Sequence, residues 1–245
     1  MRLSKAWLVA TRDFKVFSKQ KNIWYPIIVF PVIISILFPV VLNYAQTRNG
    51  GLPAVALTEL MNSFSLFFII GAAFIPLSIA SYSIVGEKVE KSLEPLLAAP
   101  LTDGEILLGK ALSALLPTLI VMYAASVVFM FGMNHVSFGT LGYYYYPNWT
   151  LGTLLLVLLP TAAVLSIMFS IIVSSRVNDV RSATSYGILV FFPFLGIYLA
   201  STTHIITLNI TNLLIIAGVL LAIDVALFFL STATFRREEI LTKWK

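Results

Sequence analysis

Leu213-Leu214-Ile215-Ile216-Ala217-Gly218-Val219-Leu220-Leu221-Ala222-Ile223 is the stretch on which the fold turns. Its apolar residues follow one another without alternation, whereas a strand of a closed barrel is short and alternates in polarity. The run therefore belongs to a helix. With its flanks, Thr211–Thr232, it reaches the roughly 20 residues needed to cross a hydrocarbon layer about 30 Å thick. Leu154–Leu159 reads the same way within Thr150–Val173. Four more stretches qualify: Ile23–Tyr44, Leu60–Val85, Ile106–Gly132 and Ala183–Thr203. Across all six, the charged residue types are confined to Lys110, near the start of the third, and Asp224, near the middle of the sixth.

The composition agrees. Of 245 residues, 59% are hydrophobic and 11% charged, against about 45–50% and about 25% in soluble domains. The mean hydropathy is +0.94. A soluble fold of this size could not hide that much apolar surface, because its own exterior must be wetted. A soluble enzyme, a disordered chain and a disulfide scaffold are excluded. With no cysteine, there is no thiolate nucleophile and no zinc–thiolate site.

The net charge of +5 reflects topology and gives no reason to invoke nucleic acid. Of the 16 lysines and arginines, all but Arg48 precede span one, follow span six, lie in the loops after spans two and four, or, as Lys110, stand at the start of span three beside the first of those loops. The positive-inside rule makes that side, with both termini, cytoplasmic. The first apolar run exceeds the core of a signal peptide and is expected to be retained. Residues 1–22 carry Leu3, Trp7, Ala10, Phe14 and Phe17 at heptad-like spacing, with Arg2, Lys5, Arg12, Lys15 and Lys19 largely elsewhere. That pattern predicts an amphipathic helix in the inner headgroup layer, facing anionic lipid. The expected organisation is this helix (1–22), a six-helix transmembrane domain (23–232, with a cytoplasmic loop at 86–105) and a tail (233–245).

On the external side, loop one (Ala45–Glu59) contains the turn residues Asn49, Gly50, Gly51 and Pro53 and is too short for a domain. Tyr143–Tyr146 and Trp149 read as an interfacial aromatic belt, or as a platform facing cargo. Asn148-Trp149-Thr150 and Asn209-Ile210-Thr211 are glycosylation sequons on the same side.

The loop between spans two and three is unlike the rest. It holds Glu87, Glu90, Glu94, Asp103 and Glu105, five of the eleven acids. Leu93, Leu96 and Leu97 have the i, i+3, i+4 spacing of a helix, Pro95 fits its first turn, and Pro100 can end it. A short helix with an apolar stripe suits docking into a groove on a soluble partner; the alternative is a solvated loop with its leucines on the bilayer. Gly104-Glu105-Ile106-Leu107-Leu108-Gly109-Lys110 matches a phosphate-binding loop in spacing only. It lacks a Ser or Thr after the lysine (residue 111 is Ala) and runs into a membrane span. Lys110 is instead expected as a cation reaching the inner interface.

Within the spans, Asp224 is the one deep ionisable residue. It is either part of a transport path or a protonated acid held by a neighbouring hydroxyl. No paired aspartates and no span histidine suggest catalysis or a metal. Prolines at 26, 31, 39, 76, 117, 160 and 193 permit kinks, which serve either packing or hinging.

Span two running into Glu87, Glu90, Ser92-Leu93-Glu94-Pro95-Leu96-Leu97-Ala98 and Pro100, then Gly109-Lys110 opening span three, resembles the permeases of the type-2 ABC exporter family. The likeness takes in the amphipathic start, the six spans and nearly the whole length; Ser92 stands where threonine is commoner, and external loop one is short. The Glu-Ala-Ala…Gly pattern of importer permeases is absent.

The resemblance implies an all-α membrane protein in the cell membrane of a prokaryote. Its cytoplasmic coupling helix, carried by Glu87, Glu90, Ser92, Leu93, Glu94, Leu96, Leu97 and Pro100, would dock on a separate ABC ATPase subunit. It further implies pairing with a second permease copy, and no cofactor in this chain. Spans rich in Phe, Tyr, Leu and Ile suit a hydrophobic or amphipathic cargo such as a drug-like molecule, a lipid or a lipid-linked glycan. A gradient-driven carrier or channel, or a membrane scaffold, is the alternative.

Overall fold

A computed structural model describes residues 3–19, 21–48, 51–86, 101–177 and 179–234. Among these, every regular element is helical. Helix α1 is Leu3–Phe17 and α2 is Lys21–Arg48. Helix α3 is Ala54–Ser81, with one turn residue at Leu66, and it continues into a π-helical turn at Tyr82–Gly86. Helices α4 (Asp103–Leu141), α5 (Trp149–Arg176), α6 (Arg181–Thr202) and α7 (Ile210–Thr234) complete the chain. Six helices, α2 to α7, are long and apolar enough to span a membrane.

Helix α3 is the hub. It packs along α5 and α4 and also meets α2 and α6, and it is the most deeply covered of the six. Hydroxyls join it to α5: Ser81 Oγ and Ser170 Oγ lie 3.0 Å apart, and Ser166 Oγ donates to the Ala73 carbonyl. In a medium without water, such bonds satisfy polar atoms that would otherwise be stranded.

Helix α2 lays one stripe, Ile27, Pro31, Ile34, Ser35, Pro39 and Leu42, into the bundle and packs mainly on α4. Its prolines belong to that contact. The Pro39 ring fills the hollow over Gly132, where an added Cβ would come within 2.7 Å of it. Helix α7 presents Leu213, Ala217, Leu220, Asp224 and Ser231 inward and rests mainly on α5. The opposite faces of α2 and α7 are apolar and open, with Ile33, Ile36, Val40, Ile215, Val219 and Leu221 all exposed. A soluble protein does not leave such faces uncovered.

The helices outrun the hydropathic stretches. Helix α4 has 39 residues, about 58 Å at 1.5 Å per residue, and runs past Gly132 to Leu141. It stops where Gly142 takes the left-handed conformation (φ 73°) and its N–H bonds the Phe138 carbonyl. The loop expected at Ala45–Glu59 is much shorter: α2 continues to Arg48 and α3 begins at Ala54. Hydropathy marks where a helix can sit in hydrocarbon. A helix satisfies its own backbone on either side of that boundary, so its ends are set by caps and glycines.

At one end of the bundle, an aromatic clamp holds the α4–α5 connection. The Asn134 side chain donates to the Tyr146 carbonyl (2.7 Å) and accepts from the Tyr146 N–H (2.9 Å). The buried Tyr146 hydroxyl donates to the Met61 carbonyl of α3 (2.9 Å), and Asn62 donates to the Tyr145 hydroxyl (2.9 Å). Burial pushes the Tyr146 hydroxyl well above the usual tyrosine range, so it remains a donor. The run expected as one belt is therefore divided: Tyr143, Tyr144 and Trp149 are exposed, while Tyr146 is interior. Asn148 and Asn209 use their side-chain oxygens to cap α5 and α7, accepting from the Leu151 and Asn212 N–H groups at 2.8 Å. The connection 203–209 between α6 and α7 is a mostly exposed turn.

Candidate functional site

At the opposite end of the bundle, a buried polar node ties together three elements distant in sequence. Lys110 Nζ of α4 lies 3.2 Å from Asp13 Oδ2 of α1. It also donates to the Ser83 carbonyl (2.5 Å) and to Ser83 Oγ (3.2 Å), in the π-helical turn. Ser83 Oγ in turn donates to Asp13 Oδ2 (3.3 Å). All three side chains are wholly buried. Asp13 Oδ1 is buried without a partner among the described residues.

The local sequence explains how the node forms. Small residues let α1 and α4 approach: at Gly109, a Cβ would stand 2.6 Å from Val9 Cβ and 2.7 Å from the Ala6 carbonyl. Ala6, Val9, Ala10, Asp13 and Phe17 form the covered face of α1, and that face packs on α4. The turn at Tyr82–Gly86 is wound wider than an α-helix, and such insertions recur at functional positions. Tyr82 stacks edge-on with Phe17 at 6.1 Å, and Trp24 Nε1 donates to the Phe17 carbonyl at 3.1 Å. Together these fix the end of α1 between α2 and α3.

The node brackets the stretch that sequence singled out. Glu87, Glu90, Ser92, Leu93, Glu94, Leu96, Leu97 and Pro100 lie outside the described residues; what is described is where the chain leaves and returns. It leaves from the turn carrying Ser83. It returns into α4 through a capping box, in which Thr102 Oγ1 accepts from the Glu105 N–H (3.3 Å) and Glu105 Oε2 accepts from the Thr102 N–H (3.0 Å). Reciprocal caps of this kind define where a helix starts. Lys110 is less than two turns further on. Both roots of 87–100 are thus attached to α1 through one ion pair.

Lys110, expected as an interfacial cation, has its ammonium inside protein against Asp13. Gly104–Lys110 lies within α4, so its backbone N–H groups are engaged in a helix and form no phosphate cradle. Helix α1 departs in detail from the expected stripe: Leu3, Trp7 and Phe14 face outward, whereas Ala10 and Phe17 are covered by protein. Asp224 lies on the inward face of α7, its Oδ1 buried and without a partner among the described residues. It sits on α7, which rests mainly on α5. Sequence reading missed Asp13. The available signal was a single acid among the cations of residues 3–19, on the same helical face as Ala6, Ala10 and Phe17.

Six apolar spans around a hub helix, with a charged pair buried at one end, define a polytopic α-helical membrane protein. Its family follows from comparison with known families: the model for the ABC-2 family transporter protein matches residues 7–224. The chain belongs to that family, and it is a membrane transport permease. No curated protein matches it. The match begins within α1 and ends at Asp224, so it takes in the node and all but the end of the last span.

Proposed function

We propose that this chain is the membrane half of an ATP-driven exporter, working with separate ABC ATPase subunits and a second permease copy. Residues 87–100 form the grip for the ATPase, the coupling helix, with Leu93, Leu96 and Leu97 docking and Glu87, Glu90 and Glu94 setting its register. The observation that carries this reading is the rooting of 87–100 at both ends on the Asp13–Lys110–Ser83 node. A segment that moves spans must be attached to them firmly, and a buried, hydrogen-bonded ion pair is a strong anchor because breaking it strands a charge in a dry site. Closure of the ATPases would pull on 87–100. The pull would reach the hub helix α3 through the π-helical turn, and α4 and α1 through Lys110.

The proposed setting is the cell membrane of a prokaryote, with both termini and 87–100 cytoplasmic. The cargo is hydrophobic or amphipathic, a drug-like molecule, a lipid or a lipid-linked glycan, in keeping with spans poor in charge. The test is reconstitution with the ATPase subunit. Glu94→Lys, or Leu96→Asp with Leu97→Asp, should uncouple ATP hydrolysis from transport while membrane insertion is retained. Coupled transport surviving in these variants would overturn the reading.

One observation favours a second reading. The buried Oδ1 of Asp224, without a partner among the described residues, is what a gradient-driven carrier would use to hold a proton or cation. In that case Asp224→Asn abolishes transport, which then follows an ion gradient and ignores ATP.

A further inference from the structure

Beside the node, α1 and α4 part to leave a cleft. It has a volume of about 340 Å³ and is walled by Trp7, Phe14, Leu116, Pro117 and Ile120. It opens outward from the bundle, since Trp7, Phe14 and Ile120 are all exposed. Thr11 and Lys15 stand at its edge and also line a second groove, of about 520 Å³, completed by Leu8, Arg12, Val16 and Lys19. Lys15 and Lys19 are exposed there. The apolar slot and the basic groove thus share two residues of α1, Thr11 and Lys15.

We propose that this pair of cavities binds one glycerophospholipid with an anionic headgroup. An acyl chain lies along Leu116, Pro117 and Ile120, and the phosphate sits between Lys15 and Lys19. The shape argues for a lipid in particular: the apolar part opens sideways from the bundle, where acyl chains are, and the charged part lies at the end where a headgroup would be. Cations beside a buried apolar face are what attract an interfacial helix to anionic lipid. Here the third span supplies the other wall, so the lipid is held at a defined place. The bound lipid would brace α1 against α4 one turn from Lys110. Only the choice of the inner leaflet rests on the proposed orientation; the site itself does not depend on export.

The experiment uses the intrinsic fluorescence of Trp7, read as the signal that Trp7→Phe removes from the full chain. The protein is placed in phosphatidylcholine vesicles doped, in both leaflets, with either dibromo-phosphatidylglycerol or dibromo-phosphatidylcholine as quencher. The anionic quencher should act at a mole fraction roughly fivefold lower, the preference expected of even one lysine at a headgroup. Lys15→Glu with Lys19→Glu should equalise the two lipids while quenching by the zwitterionic one persists. Thr11→Phe, which blocks the junction and leaves every charge in place, should also remove the preference. Equal quenching in the unaltered chain would overturn the proposal, as would a preference that survives charge reversal. A preference that survives Thr11→Phe would mean diffuse attraction to a basic surface, and would overturn it too. None of these readings involves ATP or transport.

Discussion

The two ends of the bundle are fastened by different chemistry. At the end that carries the α4–α5 connection, Tyr146, Asn134, Asn62 and Tyr145 join that connection to α3 with neutral hydrogen bonds. At the opposite end, an ammonium and a carboxylate drawn from residues 97 positions apart are buried together. A neutral hydrogen bond can be lost at the cost of one unsatisfied group, about 1–3 kcal/mol. A buried ion pair behaves as all or nothing, because removing one partner leaves a charge in a medium that cannot solvate it. The neutral clamp therefore positions a loop, whereas the charged node ties α1, α3 and α4 together by a contact that is costly to break. The segment proposed to grip an ATPase grows from the second kind of fastening.

The sharpest way to break this contrast is Lys110→Met. It strands the Asp13 carboxylate and should cost about 3–5 kcal/mol, seen as a large fall in the unfolding midpoint in mild detergent. Asp13→Leu in the same chain should return most of the loss, since an apolar pair of similar volume often replaces a buried ion pair at little cost. If the double variant is no better than Lys110→Met, the pair is not what holds the node.

Gly109→Ala comes next. Its methyl group has no room between Val9 and the Ala6 carbonyl, and overpacking of this kind costs about 1–3 kcal/mol. A cysteine pair spanning α1 and α4 should cross-link less readily in this variant, and unchanged cross-linking would show that the approach of the two helices is loose.

Tyr146→Phe tests the other end. Leaving the Met61 carbonyl without its donor should cost about 1–2 kcal/mol. Because the clamp and the node are remote from each other, its effect should add to that of Lys110→Met within about 0.5 kcal/mol. A larger departure would mean that the ends communicate.

The smallest effect is expected at Asp179, whose exposed carboxylate caps α6. Chiefly the Ser182 N–H, at 2.9 Å, holds that carboxyl below the ordinary carboxylate range. A group whose folded value is depressed contributes stability above its ordinary value, and loses it as pH falls through the lower, folded one. Protection of the Ser182 amide, its exchange relative to an unstructured amide at the same pH, should thus be constant near neutral pH and fall only under acid. Asp179→Ala should show the lowered protection at neutral pH.

How much of this was legible in the sequence depends on the range of the signal. The six spans were readable because apolar runs such as Leu213–Ile223 report hydrocarbon directly. The ends of α4 were not, because Gly142 and the Thr102–Glu105 box act through backbone geometry that hydropathy ignores. Lys110 stands out as a charge at the head of a span, and a local reading sends it to the membrane interface. The structure gives it Asp13, whose single negative charge is lost in a pattern dominated by the neighbouring cations. Gly109 fits a phosphate-loop spacing that the sequence itself discounts, but only the structure shows that it makes room for the Ala6 backbone. Long-range pairing leaves no periodicity, so one sequence shows the two halves of the node and not their meeting.

The most direct test of the central claim is to purify the intact chain from its membrane in gentle detergent and identify its companions by mass spectrometry. The account predicts an ABC ATPase subunit that accompanies the unaltered chain and is lost from Leu96→Asp with Leu97→Asp, while the six-span protein itself stays folded and monodisperse. An ATPase retained by that variant, or a folded chain that brings none with it, would contradict the claim that residues 87–100 are its handle.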